Sequence, residues 1–208
     1  KGDRAANFAM QNSDLVLVIG SSLHVSVIGY DYSAFAREAK KVVVDIDETA
    51  HKKKTISIDL FIRSDAKWFI DSLHTLLQAE VRMPNDISWL NRCGEWKKKY
   101  KVCLEEYKET QGAINIYSFV DQLSTQAAEG DVFVSDAGSA FYAVSQGVRL
   151  TKPRQRYVTS GAMATMGFTL PASIGVSIAN NKGRVLAITG DGSLQMNIQE
   201  LQTILHYQ

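Results

Sequence analysis

The 208 residues are 45% hydrophobic and 22% charged, the balance of a globular chain with room for one large or two small domains. A formal charge of +1 argues against a nucleic-acid surface built on net charge, and no apolar run is long enough to span a bilayer. Cys93 and Cys103 have neither CxxC spacing nor histidine partners at zinc spacing, so they read as free thiols of a reducing, cytoplasmic setting. The chain opens on Lys1 rather than methionine, without a signal-peptide pattern, and is expected to be a fragment of a longer protein.

In chain order, strands alternate with helices. Residues 14–19 (DLVLVI) form an apolar run closed by Gly20, as expected of a strand buried on both faces. Residues 32–39 (YSAFAREA) are predicted helical, and residues 41–46 (KVVVDI) are a second buried strand. Residues 65–77 place Trp68, Phe69, Ser72, Leu73 and Leu76 on one helical face. This pattern predicts a first parallel-sheet α/β domain over residues 1–80. Residues 81–112 change character: a break at 82–86, then a segment rich in Trp, Lys and Glu, predicted as a helical connector capped by Asp86 or Ser88. The lysine triplets 52–54 and 97–99 read as solvated faces.

A second α/β unit is predicted over residues 113–208. It comprises a helix at 114–127 with Ile116, Phe119, Val120 and Leu123 on one face, a strand at 131–135, and a helix from about Phe141. A small-residue helix follows at 171–178, then a strand at 185–189. Residues 194–207 close the unit as one helix burying Leu194, Ile198, Leu201 and Leu205. The fold class is therefore α/β: two three-layer domains built on parallel sheets, the second expected to be incomplete at its C-terminal end.

The chemistry concentrates in three segments of this second unit. The strand at 185–189 runs into Gly190-Asp191-Gly192-Ser193 and then a helix. Ligands gather beyond the carboxyl ends of parallel strands. The two glycines are expected to let the backbone turn sharply and leave room for an anion, with Ser193 capping the helix. A lone carboxylate among free amides suits Mg²⁺ shared with a diphosphate, because Mg²⁺ takes one or two carboxylates and completes its shell with phosphate oxygens. Asp191 taken alone is also compatible with a simple βα turn. The loop 136–140 (DAGSA) is a second acidic turn expected at the same sheet edge, and residues 160–175 (SGAMATMGFTLPASIG) allow close backbone approach to a flat ligand.

Taken together, these segments resemble the diphosphate-binding domain of thiamine-diphosphate enzymes, most closely the acetolactate synthase-like group. Where that group reads TSGGLGTMGFGLPAAIGA and GDGSxxMNxQEL, this chain reads TSGAMATMGFTLPASIGV and GDGSLQMNIQEL. Residues 2–23 and 35–54 resemble the family's central domain, so the likeness covers nearly the whole chain. The resemblance implies that Asp191 ligates Mg²⁺ and that Gly190, Gly192 and Ser193 line the diphosphate. It implies that Ala137, Gly138, Ser139 and Ala140 contact the diphosphate from the other loop, and that backbone at Ala164 and Met166 holds the aminopyrimidine ring. Met196 would pack at the bend of the cofactor. No catalytic acid or base is assigned within the chain. The implied cofactor adds to a 2-keto acid and takes up the electrons released by decarboxylation. The implied assembly is a homodimer or homotetramer, with neither nucleic acid nor membrane as a partner.

Departures from the family pattern carry their own expectations. Ala164 stands where glycine is usual, and its carbonyl contact is expected to survive only at negative φ. Ser139-Ala140 replaces a Gln-His pair, which favours a specialised lyase or decarboxylase as the alternative to a synthase. Ser21-Ser22-Leu23-His24-Val25 lacks the Arg and paired Asp of flavin-binding members, which argues against FAD. A second metal ligand and the activating glutamate are expected outside these residues, so the fragment alone is expected to be inactive. A non-catalytic homologue is the remaining alternative.

Overall fold

The computed structural model describes residues 2–80, 87–109 and 112–207. It is an α/β protein with two three-stranded parallel sheets flanked by helices. Packing divides the chain into two compact units, Gly2–Lys101 and one that opens at Val102.

In the first unit, helix α1 (Arg4–Asn12) starts at Asp3, whose carboxylate accepts the Ala6 amide at 2.7 Å. Strands β1 (Leu15–Ile19), β2 (Lys40–Asp45) and β3 (Leu60–Arg63) lie side by side in that order. The central strand β2 is buried on both faces, with Val43 and Val44 fully inaccessible. Strand β1 departs from expectation: it is an edge strand, only Val16 and Val18 enter the core, and Leu15 and Leu17 stay exposed on the open face. The short helix α2 (Val25–Ile28) follows β1. Residues 32–39 do not form the expected helix. A 3-10 turn at Tyr32–Ala34 gives way to Ala36 at φ +42°, a left-handed residue that no right-handed helix can contain, and the Gln11 side chain accepts its amide at 2.9 Å. Phe35 and Ala36 enter the core as turn residues instead.

Helix α3 (Ala66–Glu80) begins at Asp65, whose carboxylate accepts the amides of Lys67 and Trp68. Its expected face is only half right: Phe69, Ser72 and Leu73 are half-buried, while Trp68 and Leu76 point outward, because one three-stranded sheet covers a narrow stripe. The break expected at 82–86, with Asp86, lies outside the described residues. Helix α4 (Ser88–Lys99) is N-capped by Ile87, which offers no side-chain oxygen, and Ser88 is its first residue rather than its cap. This helix packs on α1, with Phe8 stacked against Trp96 and Tyr100.

The second unit begins with a 3-10 turn at Glu105–Lys108 and helix α5 (Ile116–Gln126), capped by the Asn115 side chain. Val120 and Ser124 face inward and Phe119 outward. Strand β4 (Val132–Ser135) is buried along its whole length between β5 (Arg156–Thr159) and β6 (Val185–Ile188). Helix α6 (Gly138–Gly147) links β4 to β5 and starts three residues before the expected Phe141; helix α7 (Thr169–Ala179) links β5 to β6. Right-handed crossovers to opposite neighbours of β4 put α6 and α7 on opposite faces of the sheet. At the amino edge, Arg184 forks onto the buried Asp131 carboxylate and ties the start of β6 to that of β4.

The last predicted helix is two. Helix α8 (Asp191–Met196) ends at Asn197, and α9 (Glu200–Tyr207) follows. The expected buried stripe is not formed: Ile198, Leu201 and Leu205 are all exposed. The break has a local cause, since the Asn197 side chain donates to the Gly167 carbonyl at 2.8 Å while its backbone leaves the helical region at φ −135°.

Candidate functional site

The order β5-β4-β6 makes β4 a switch point: the chain leaves it first toward one neighbour and later returns on the other side. Loops at the carboxyl ends of β4 and β6 therefore diverge around a crevice, the position where open parallel sheets bind ligands. The loop after β4 carries Asp136; the loop after β6 carries Thr189, Gly190 and Asp191.

Asp136 is completely buried and holds the two loops together. One carboxylate oxygen accepts the Ala137 amide at 2.7 Å. The other accepts the Ser193 hydroxyl at 2.5 Å, the Thr189 hydroxyl at 3.0 Å and the Thr169 amide at 3.3 Å. Ser193 in turn accepts the Gly167 amide at 2.7 Å, and Asn197 donates to the Gly167 carbonyl. All three chemistry-bearing segments thus meet on one carboxylate and one hydroxyl. Burial pushes the Asp136 carboxyl upward, but hydrogen bonds from Ser193, Thr169, Ala137 and Thr189 outweigh it and hold the group below its ordinary value. It stays ionised as a structural anchor.

Around this anchor, Ala137 is the N-cap of α6 and half-buried, Gly138 (φ +58°) and Ser139 are exposed, and Ala140 is buried inside the helix. Gly190 caps α8, with Asp191 and Gly192 exposed behind it. A Cβ placed on Gly192 would lie 3.6 Å from the Met166 methyl, and one on Gly167 would lie 3.1 Å from the Met196 Cβ. The 166–169 segment and helix α8 therefore share one rim, over which Met166 and Met196 stand half-exposed. Ala164 closes a 3-10 turn at Gly161–Met163.

Three sequence expectations change. Gly190 is extended (φ −83°) and Gly192 has no positive φ; in the three segments the left-handed glycines are instead Gly138, Gly161 and Gly167, so Gly190 contributes open space rather than a sharp turn. Ser193 does not cap α8, because its hydroxyl is spent between Asp136 and Gly167. Ala164 sits at φ +46°, not at negative φ, and so keeps the conformation a glycine would take. Sequence reasoning treated Asp136 only as part of an acidic turn and passed over Thr169, Thr189 and Asn197. The available signal was a carboxylate at the very end of an otherwise apolar strand, where burial demands several donors.

The rim fits a phosphate-bearing group sharing a cation. Nothing lies within 4 Å of a Cβ built on Gly138 or Gly190, leaving space for an anion to reach the backbone. The Asp191 carboxylate is exposed and makes no hydrogen bond or ion pair among the described residues. Among those residues no group of three His, Cys, Asp or Glu side chains could hold a metal alone. That donor set suits a hard cation taking one protein carboxylate and leaving other positions to phosphate and water. No described helix is long and apolar enough to cross a membrane.

Comparison with known proteins agrees with this geometry. Residues 136–208 match the thiamine pyrophosphate enzyme C-terminal TPP binding domain, beginning on the anchor Asp136, and residues 1–73 match the thiamine pyrophosphate enzyme central domain. Over 206 residues the chain is 34% identical to the acetolactate synthase large subunit of Buchnera aphidicola subsp. Schizaphis graminum, covering 99% of this chain and 35% of the relative. It is 34% identical to that of Haemophilus influenzae (99% and 35% covered) and 32% identical to the isozyme 3 large subunit of Escherichia coli (100% and 36% covered). The chain thus spans about a third of the length of these relatives. With the central-domain match in the first compact unit and the TPP-binding-domain match in the second, the chain belongs to the thiamine pyrophosphate enzymes.

Proposed function

We propose that this chain supplies the diphosphate-anchoring half of a thiamine-diphosphate- and Mg²⁺-dependent enzyme that decarboxylates a 2-keto acid and joins the product to a second carbonyl, in the manner of an acetolactate synthase. The observation that carries the reading is the convergence of the loops after β4 and β6 with the 166–169 segment on Asp136, at the switch point of a parallel sheet.

In this reading Asp191 holds the cation. Backbone at Gly138, Ser139, Gly190, Gly192 and Ser193 would face the diphosphate, with Ala137 and Ala140 setting the start of α6 behind it. Met166 would offer backbone to the pyrimidine ring, and so would Ala164, because it keeps the left-handed conformation of a glycine rather than the negative φ expected of an alanine. Met196, half-exposed on the same rim, would pack against the bound cofactor. The cofactor, when bound, supplies the electron sink for decarboxylation. The chain's own contribution is orientation: Asp191 would hold the cation that offsets the diphosphate charge, and the Asp136 knot fixes the spacing between the two loops. Neither carboxylate is placed to move a proton, since Asp136 is held ionised and Asp191 is committed to the cation. Acid–base work is assigned to groups outside these residues, and the isolated chain is inactive. The working assembly is a cytoplasmic homodimer or homotetramer.

Calorimetric titration of the 208-residue chain with thiamine diphosphate tests the reading. Weak binding that requires Mg²⁺ and vanishes with a chelator is expected; no binding, or binding indifferent to chelation, would overturn it. Products formed by the full-length enzyme from pyruvate would separate carboligation, which yields an acetohydroxy acid, from simple decarboxylation, which yields an aldehyde.

A further inference from the structure

A cavity lies in the first unit where β2 and β3 begin, at the amino edge of its sheet and away from the carboxyl edge where ligands of this fold type gather. It measures about 420 Å³ and is lined by Asp31, Ser33, Arg37, Lys41, Thr55 and Ser57 above a floor of core residues.

Lys41 is the unusual member. It is the second residue of β2, and only 6% of it is exposed. Lysine is almost never buried to this degree without an acidic partner. Here the ammonium donates to the Ala39 carbonyl at 2.9 Å, and no carboxylate lies within ion-pair distance among the described residues. The nearby Asp59 carboxylate is occupied with the Lys41 backbone amide at 2.7 Å. An ammonium carries three donors and the carbonyl takes one, leaving two donors and a full charge for the cavity it lines. A bound oxyanion would pair the ammonium and accept from those two donors.

The rest of the lining suits such an anion. Arg37 is largely exposed and among the described residues pairs only with Glu38, at a loose 3.7 Å, so its guanidinium is available to the opening. Thr55 and Ser57 add hydroxyl donors from the segment before β3. Asp31 is the one acid of the lining, and its carboxylate is engaged by the Ser33 hydroxyl at 2.6 Å. Ammonium, guanidinium and hydroxyl donors around one cavity are the chemistry that recognises a tetrahedral oxyanion. The volume exceeds what a bare phosphate needs and leaves space for a small organic group.

We propose that this cavity binds a small phosphate-bearing anion through Lys41 and Arg37, independently of the cofactor rim in the other unit. The test is thermal unfolding and calorimetry of the 208-residue chain with inorganic phosphate, with glycerol 3-phosphate, and with sodium chloride at matched ionic strength. Phosphate is expected to raise the unfolding temperature and chloride is not. Tighter binding of glycerol 3-phosphate than of phosphate would identify an organic phosphate ester as the natural occupant; equal binding would identify the free ion. Lys41→Met keeps the buried stem and removes the charge, so it should fold at least as stably without phosphate and bind it at least about tenfold more weakly. Arg37→Gln, on an exposed side chain, should weaken binding without changing stability in its absence. Equal phosphate and chloride effects, or undiminished phosphate binding by Lys41→Met and Arg37→Gln, would overturn the assignment. None of these readouts depends on thiamine diphosphate.

Discussion

The Asp136 carboxylate and the Ser193 hydroxyl, 57 residues apart in sequence, meet at 2.5 Å beneath the surface of the second unit. That contact is where the ends of two parallel strands are held at a fixed separation, and Ser193 extends it to the Gly167 amide. Replacing Asp136 by Asn puts an amide group among donors that need an acceptor. The expected loss is about 3 kcal/mol in urea unfolding, the range for breaking a buried charged network. Ser193→Ala should cost about 1–2 kcal/mol. The double variant should lose clearly less than the sum, since both remove the same contact. Additive losses would mean that the two groups do not work as a unit.

The same carboxylate predicts how stability follows pH. Asp136 is held below its ordinary value by its hydrogen-bond donors despite burial, and Asp131 is lowered by the Arg184 hydrogen bonds, which burial opposes. Both groups therefore bind protons less readily when folded than when unfolded. Their contribution is fully present above the ordinary carboxylate range near about pH 4 and disappears as pH falls through the lower folded values. The urea midpoint should be flat near neutrality and fall progressively in acid below about pH 4. Asp136→Asn should flatten that acid limb; an unchanged limb would remove Asp136 as its source.

Ala164 adopts a left-handed conformation at φ +46°. An L-residue pays about 1–2 kcal/mol there, while a glycine adds back about 0.4–1 kcal/mol of unfolded-state freedom. Ala164→Gly should therefore stabilise the chain by up to about 1 kcal/mol, visible as a higher unfolding temperature. A destabilised variant would show that the Ala164 methyl group packs more usefully than its backbone is strained.

The parallel-sheet class and strands β1, β2, β4 and β6 were legible in the sequence because apolar runs bounded by Gly and polar residues have few other uses. Strands β3 and β5, four residues each and carrying Arg63 and Arg156, offer no such run and were missed. The failures lie where tertiary contacts outvote periodicity. Residues 32–39 carry a helical pattern, yet the Gln11 side chain takes the Ala36 amide and the chain turns. The 194–207 pattern reads as one helix until Asn197 is diverted to Gly167, a partner 30 residues away. At the candidate site, Gly-Asp-Gly-Ser announced the exposed carboxylate. The buried one at Asp136 was hidden, because its donors come from three segments that only the folded chain brings together.

Two left-handed glycines of the candidate site, Gly167 and Gly138, should differ by their surroundings. Gly167 (φ +79°) offers a new Cβ only 2.8 Å from the Asn197 side-chain nitrogen, and that nitrogen is fixed by its bond to the Gly167 carbonyl. Gly167→Ala combines backbone strain with a clash and should cost more than about 2 kcal/mol. Gly138 (φ +58°) has open space around it, so Gly138→Ala should cost only about 1 kcal/mol from the backbone. If the 138 amide faces a diphosphate, the added methyl should still weaken cofactor binding. Comparison of urea midpoints and calorimetric affinities for the pair checks both statements.

Asp191 separates folding from function most cleanly. It lies in the first turn of α8, exposed and without a hydrogen bond or ion pair among the described residues. Removing it leaves no buried group unsatisfied, so Asp191→Ala should unfold within about 0.5 kcal/mol of the parent. The small change has an expected sign, because a carboxylate at a helix N-terminus is favoured by the dipole and its loss is mildly unfavourable. Cofactor binding should respond quite differently. With the cation's protein carboxylate gone, Mg²⁺ should no longer strengthen thiamine diphosphate binding, and titrations with Mg²⁺ and with chelator should coincide. Asp191→Asn keeps the shape and one carbonyl oxygen, and should recover part of the metal dependence. Full Mg²⁺ dependence in Asp191→Ala would place the cation on another group, whatever the stability of the variant.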